Sequence, residues 1–392
     1  MTVSAPAPVH TGTFAVRDVR AVLPDRVLDG ASVVCEGGLI TSVRPGGAVP
    51  PGALDGRGAL LVPGIVDVHS DALERDITPR PGTSFPIGFA LAAFESRVRA
   101  AGVTTVFHGV GFQDNPGYHR SLEQARAVCA ALRERRASGA TPVEHRVLHR
   151  MDVRSPDALD VLLDCLPAPG PEVPLVSCED HTPGQGQYRD LDRFVAARMR
   201  ELPGRSAEEA ADLVRERIAA RDALREHVGR NRSRLAALAA AGRIRLLAHD
   251  VDSPEEVRRV HAGGAAVAEF PVTLDAARAA KDAGMPVVMG APNVIRGGSH
   301  SGNVGARELV AAGLVDALAS DYSPPALLAA ALGLAAERVV ALPAAVALVT
   351  AGAAAVGGLR DRGRLVEGAR ADLLLVDDTD RWPRVRTVLP AE

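Results

Sequence analysis

Eight short apolar runs alternate with helix-like segments along most of this 392-residue chain, and that alternation constrains the fold more than any other feature. The runs fall at 60–67, 103–108, 145–152, 173–178, 243–249, 265–270, 286–290 and 314–320. Between them lie stretches of helical period such as Ser121–Ser138, Ser253–Ala262 and Leu274–Ala283. Ser253-Pro254-Glu255-Glu256 reads as a capping box with proline at the first helical position. Strand and helix in strict alternation build a parallel sheet covered by helices. Eight such units fit a TIM-like (β/α)8 barrel of α/β class. A doubly wound sheet is the competing arrangement, but it normally carries a glycine-rich phosphate loop after its first strand, and none stands here.

Both ends of the chain have a different texture. Phe14-Ala15-Val16, Ala21-Val22-Leu23, Ser32–Cys35 and Leu39–Val43 are short strand-like pieces punctuated by glycine and proline. Ala371–Val376 and Val385–Val388 repeat that texture. We therefore expect a small composite β-sandwich from residues 1–60 and 360–392, around a barrel at 61–359. A helical insertion falls at about 190–241. Its Arg- and Glu-rich part, Ser206–Ala241, reads either as a solvated face or as a contact between two copies in a homodimer.

Composition excludes several functions. The net charge of −3 gives no basic field to attract nucleic acid or anionic lipid. Cys35, Cys129, Cys165 and Cys178 are scattered without a CxxC pair and read as reduced packing residues of a cytoplasmic protein. No signal peptide and no apolar span of membrane length is apparent. Lys281 is the sole lysine, so a modified lysine has one place to be.

In a barrel the C-terminal strand ends form the active face. Strand one ends on His69 and Asp71, which as i and i+2 point the same way. An imidazole and a carboxylate so placed suit a metal ion, or else a satisfied strand-end histidine beside an N-capping aspartate. Strand three ends on His149, Arg150 and Asp152, strand four on Glu179-Asp180-His181, strand five on His249-Asp250, strand six on Glu269, and strand eight on Ser320-Asp321-Tyr322. So many carboxylates on one face repel one another unless a cation neutralises them. We expect one or two divalent ions, zinc first, with manganese or iron as alternatives.

The stretch after strand seven, Gly290-Ala291-Pro292-Asn293-Val294-Ile295-Arg296-Gly297-Gly298-Ser299-His300-Ser301-Gly302-Asn303, runs into an apparent helix at Val304–Ala312. Glycines allow close backbone approach, a helix start favours an anion, and Arg296 offers a fork to phosphate. The segment reads as an anion site, or as a long flexible loop.

Leu61-Val62-Pro63-Gly64-Ile65-Val66-Asp67-Val68-His69 and Gly363–Leu373 resemble the two ends of an amidohydrolase-superfamily protein. Within that superfamily the chain resembles the PhnM family of the phosphonate carbon–phosphorus lyase pathway. The resemblance rests on His69-Ser70-Asp71-Ala72-Leu73-Glu74, Asp180-His181-Thr182-Pro183-Gly184-Gln185, Ala268–Thr273, Met289–Asn293, Arg296–Asn303 and Ser320-Asp321-Tyr322. It implies a diphosphatase that releases pyrophosphate from α-D-ribose 1-methylphosphonate 5-triphosphate and leaves the 5-phosphate. It also implies metal ligands at His69, Asp71, Asp152, His181, His249 and Asp321. Asp71 stands where the common motif has a second histidine, either as a direct ligand or as a partner orienting His69. Asp152 stands in for a bridging carboxylate, because Lys281 lies in a helical stretch.

The expected mechanism activates a water on the metal, with Asp321 as proton acceptor and His300 binding or protonating the leaving group. Asn293, Arg296, Gly297, Gly298, Ser299 and His300 would hold phosphates, with Arg80 and Arg150 as further contacts and Tyr322 and Gln185 near the sugar. The rival is an amidohydrolase cleaving a C–N bond in a phosphate- or phosphonate-bearing substrate.

Overall fold

The computed structural model describes residues 12–389 except 81, 116–119, 140, 202, 203, 205 and 300. Among the described residues, fifteen strands form two sheets. β1 (Thr13–Val22), β2 (Val27–Glu36), β3 (Leu39–Pro45), β4 (Leu54–Asp55) and β5 (Leu60–Pro63) come from the N-terminal part. The barrel strands are β6 (Ile65–Ser70), β7 (Val103–Phe112), β8 (Glu144–Asp152), β9 (Leu175–Glu179), β10 (Arg245–His249), β11 (Ala265–Glu269), β12 (Val287–Gly290) and β13 (Ala317–Ala319). β14 (Leu373–Asp377) and β15 (Arg384–Leu389) end the chain.

The eight barrel strands are parallel and neighbour one another in chain order. Every residue of β7 is buried, as the continuous apolar run of a strand covered on both faces requires. The seam between β13 and β6 is closed by a Ser70–Asp321 bridge rather than a long ladder. Asp321 N donates to His69 O (2.9 Å) and Asp71 N to Asp321 O (2.6 Å). Asp67, fully buried, accepts from Ser320 N at 3.0 Å and from His69 N at 3.4 Å. Backbone bonds that close the barrel thus carry His69, Asp71 and Asp321.

The two chain ends join in one sheet of order β15-β14-β5-β1-β2-β3, with β4 beside β1. Its own core holds Val16, Val33, Ile40, Leu61, Leu373 and Leu375. The run read from sequence as one strand at 60–67 is two, because the chain changes sheets at Gly64. A Cβ there would lie 2.4 Å from Thr104 Oγ1, so only glycine lets the strands part so closely.

Helix starts follow local chemistry. Ser121 Oγ accepts from Gln124 N (3.1 Å), and Thr273 Oγ1 from Ala276 N (3.0 Å). The expected box at Ser253 is half made. Ser253 caps Glu256 N, but the Glu256 carboxylate reaches Asp252 N instead. A complete box stands at Ser206 and Glu209, opening the helix Ala207–Asp222 of the insertion. That insertion is three helices, Leu191–Glu201, Ala207–Asp222 and Arg225–Ala240. No described helix is long and apolar enough to cross a membrane.

Candidate metal centre and substrate cavity

One carboxylate organises the strand ends. Glu269, at the end of β11, is 1% exposed. Its Oε1 lies 2.7 Å from His69 Nδ1, and its Oε2 lies 2.7 Å from His249 Nδ1 and accepts from Ser177 Oγ at 2.5 Å. Both imidazoles are held by the same ring nitrogen, which leaves each Nε2 for something else. That is the arrangement in which an outer carboxylate orients a ligating histidine.

Around the two Nε2 atoms stand two clusters. His69 Nε2 lies 3.3 Å from Asp71 Oδ1, and Asp321 completes this group. His249 Nε2 and His181 Nε2 lie 3.5 and 3.6 Å from Asp250 Oδ2. Asp71 Oδ1, His181 Nε2 and Asp250 Oδ2 are buried and have no hydrogen-bond partner among the described residues. Buried polar atoms are normally paired, and three orphans converging within two His/Asp groups fit a pair of divalent cations. Among the described residues these two groups, with the Glu269 trio, are the ones able to hold a metal.

Electrostatics agrees. Burial opposes charge on His69, yet Glu269 and Asp71 outweigh it and push its pKa well above the usual imidazole range. His249 is likewise raised to about 9, against burial, by Asp250, Glu179 and Glu269. Asp321 is raised to about 6 by burial and by Asp71. Imidazoles that gather protons and a carboxyl that keeps one are marks of excess negative charge, which a cation would balance.

The local backbone serves this arrangement. Asp250, Phe270 and Asp321, each following a barrel strand or within two residues of its end, have φ of 57°, 55° and 55°. Left-handed φ at non-glycine residues is strained and concentrates at functional sites. His69 and His249 also pack on the Phe270 ring, at centroid distances of 5.0 and 5.5 Å.

The structure gathers His69, Asp71, His181, His249 and Asp321 as the sequence suggests, and corrects Asp152. Arg221, from the insertion, grips both Asp152 oxygens, the Nη2 contact at 2.9 Å, and also reaches Asp180 (3.0 Å) and Thr182 (3.1 Å). Arg154 N caps Asp152 Oδ1 at 2.9 Å. Saturated this way, Asp152 stands outside every candidate ligand group. Asp250 and Glu269 lie in the clusters instead. Both were visible as strand-end acids, and the signal that sorts them, shared histidine nitrogens, exists only in three dimensions. Lys281 is paired with Asp316 at 2.7 Å, away from these groups.

A cavity of about 720 Å³ opens above the clusters. Asn293, Arg296, Gly298, Ser299 and Tyr322 line it, but Gly297 instead ends the short helix Ala291–Arg296 with φ 76°. The region expected to be a loop is thus partly helical, and the following helix spans only Ala306–Ala311. Asn293 Oδ1 is committed to Ala306 N at 2.9 Å. Three further expectations differ from the structure. Arg80 is exposed, bridges to Thr83 and does not line the cavity. Arg150 does line it, but is pinned between Asp71 and Glu179 (2.6 Å to Oε1), so its guanidinium is spent on carboxylates. Gln185 donates to Asp180 O at 3.0 Å, outside the cavity lining. His300 lies outside the described residues. Arg75, unforeseen from sequence, lines the cavity with its guanidinium 5.1 Å from the Tyr322 ring centroid. Among the described residues neither Arg75 nor Arg296 has a carboxylate partner.

The insertion roofs the cavity. Tyr188 and Arg217 line it, Arg217 lies 5.8 Å from the Phe194 ring, and Asn303 Nδ2 donates to Gln187 O at 3.3 Å. The stretch 206–241 is therefore neither merely solvated nor free for a partner along its whole length.

Comparison with known proteins gives the same picture. The amidohydrolase family profile matches residues 254–387. Solved structures sharing the fold include 5-methylcytosine deaminase from Klebsiella pneumoniae liganded with phosphonocytosine, with TM-score 0.60 and 16% identity, covering 96% of each chain. N-acetylglucosamine-6-phosphate deacetylase from Pasteurella multocida is another, with TM-score 0.59 and 10% identity over 96% of this chain and 98% of that one. At such identities these establish the barrel fold alone. A curated relative goes further: α-D-ribose 1-methylphosphonate 5-triphosphate diphosphatase of Escherichia coli (strain K12) is 36% identical over 367 residues, 93% of this chain and 95% of the relative. The chain belongs to the amidohydrolase superfamily and, within it, to the PhnM family represented by that diphosphatase.

Proposed function

We propose that this protein hydrolyses α-D-ribose 1-methylphosphonate 5-triphosphate to pyrophosphate and the 5-phosphate in phosphonate metabolism. The observation that carries the reading is the near-full-length identity to the E. coli diphosphatase. The cavity supports it, since arginines without carboxylate partners beside two cation-ready clusters suit a polyanion.

His69, Asp71 and Asp321 would hold one divalent ion, and His181, His249 and Asp250 a second. Zinc is the first candidate for this imidazole–carboxylate set, with manganese or iron as alternatives. When bound, such ions supply Lewis acidity, neutralise phosphate charge and lower the pKa of water. The chain's own residues do the rest. Glu269 fixes the ring planes of His69 and His249. Asp321, whose carboxyl burial and Asp71 raise to about 6 in the metal-free protein, takes the proton of the attacking water. Arg296 and Arg75 bind phosphate oxygens and stabilise the charge that spreads over them as the P–O bond breaks. Asn293, Gly298 and Ser299 shape the wall where the phosphates lie. Tyr188 and Arg217 help the roof exclude water. We assign the enzyme to the cytoplasm, consistent with four unbridged cysteines.

The test is pyrophosphate release by metal-reconstituted protein. Release from the ribosyl methylphosphonate triphosphate, and not from simple nucleoside triphosphates, is expected. Absence of release from either, together with hydrolysis of a phosphorylated amide, would overturn the proposal in favour of C–N chemistry.

A further inference from the structure

Three histidines stand in the two clusters, and only two of them are held from behind. His69 and His249 each lie 2.7 Å from a Glu269 oxygen. His181 has no equivalent support among the described residues. Its Nδ1 comes no closer than 3.7 Å to the Glu179 carboxylate, beyond hydrogen-bond reach. Its ring otherwise meets His249 and Tyr188 edge to face, at centroid distances of 5.2 and 6.1 Å. Nor does a sheet fix its backbone, because the ladder between β8 and β9 ends at Asp152 and Glu179, two residues before it.

The residues on either side of His181 supply what it lacks. Asp180 Oδ1 accepts from Thr182 N at 3.2 Å and from Thr182 Oγ1 at 2.6 Å, which closes a turn around His181. Two arginines lock that turn from outside. Arg154, just past β8 and 4% exposed, donates Nε to both Asp180 oxygens, at 3.0 and 2.9 Å. Arg221 donates Nη2 to Asp180 Oδ1 at 3.0 Å and Nε to Thr182 Oγ1 at 3.1 Å. A hydroxyl gives one hydrogen and accepts others, so Thr182 Oγ1 serves Asp180 and Arg221 at once. Arg154 Nη1 also donates to Arg221 O (2.8 Å) and Asp222 Oδ1 (3.2 Å), binding this hub to the end of the helix Ala207–Asp222.

We propose that Arg221 is the positioning residue of His181, acting on its backbone as Glu269 acts on the rings of His69 and His249, and that the helical insertion thereby sets the affinity of the second ion alone. The proposal rests on the two-ion reading given above. The insertion leaves the barrel after His181 and returns to it before His249, so it is strung between two residues of the second cluster. The first cluster is carried differently: His69, Asp71 and Asp321 are set by backbone bonds between the ends of β6 and β13. The segment that roofs the cavity is therefore also the one that holds a ligand of one ion in place.

The test is equilibrium dialysis of the metal-free protein against cobalt(II), which counts ions without any substrate. Wild type should take up two equivalents per chain. Arg221→Gln should keep one at wild-type affinity and bind the other ~10–100-fold more weakly, the usual cost of losing a residue behind a metal-ligating histidine. Arg221→Lys keeps the charge without the fork and should recover part of the loss. In a His181→Ala background, where the ligand itself is gone, Arg221→Gln should cost nothing more. Thr182→Val removes the hydroxyl from the turn and should weaken the same ion, and it reads the same question if Arg221→Gln does not fold. Wild-type affinity for both ions in Arg221→Gln and Thr182→Val, or an equal weakening of both, would overturn the proposal. A single equivalent in wild type would end the two-ion reading instead. The positioning role then stands if Arg221→Gln weakens that ion and falls if it does not.

Discussion

Arg150 and Asp71 are paired across the floor of the cavity, Nη1 to Oδ2, leaving Asp71 Oδ1 turned toward His69. The pair explains how an aspartate stands where the common motif has a second histidine. One oxygen is held by arginine and the other is free for a cation. Burial works against charge on Asp71, but Arg150 and His69 more than offset it and hold its pKa well below the carboxylate range.

Removing Arg150 should therefore destabilise the metal-free protein more than the loaded one. Arg150→Gln leaves Asp71 and Glu179 facing each other without their common partner, a loss of about 3–5 kcal/mol for a broken buried pair. Added divalent metal should restore much of the loss by binding the native state. Thermal melts with chelator and with metal read both effects. An unchanged midpoint in chelator would mean that the pair holds nothing together.

Glu269→Gln keeps the shape but weakens the charge that orients two histidines. Metal affinity should fall ~10–100-fold, as for other outer partners of ligating histidines. Equilibrium dialysis measures it. Asp152→Asn, by contrast, should leave metal content intact, because Arg221 and not a cation occupies that carboxylate.

Arg296→Ala and Arg75→Ala should each raise KM by ~10–100-fold, the range of a charge-assisted hydrogen bond. Metal content should stay unchanged. An effect on kcat alone would place the lost contact on the transferred phosphorus rather than on the bound polyanion.

Acid stability should depend on two carboxylates away from the cavity. Burial disfavours charge on Glu144, yet Arg362, Arg146 and Arg370 hold its pKa far below the usual range, and Glu95 is held at about 2. The unfolded value is ~4.3. A depressed native pKa means that the unfolded chain binds more protons, so the stabilisation is complete above ~pH 5 and fades as pH falls toward 2. Glu144→Gln should lower the urea midpoint at pH 7, with a cost of about 3 kcal/mol. The gap to wild type should narrow by pH 3. A gap independent of pH would mean that the ion pairs do not set it.

The barrel was legible because its signal is local. Each buried parallel strand is a short apolar run, and six of the eight were read within three residues of their observed ends, while 103–108 stops four residues short of the end of β7. The split at Gly64 was not, since nothing in the apolar run from Leu60 to Val66 marks a change of sheet. The candidate metal residues were legible as strand-end polar side chains, but their sorting was not. Asp152 and Asp250 look alike in sequence. What separates them is Arg221, which arrives from a helix 69 residues later and claims the first.

The seam of the barrel has a mechanical consequence. β13 has three residues, and its grip on β6 depends on Asp67, Ser320 and the backbone of Asp321. The same few bonds zip the barrel shut and set Asp321, the proposed proton acceptor, beside His69 and Asp71. A transient parting of β13 from β6 would disarm the enzyme while nearly all of its helices stayed folded. Amide exchange at Ser320 and Asp321 would then time the loss of activity on heating, ahead of the loss of ellipticity.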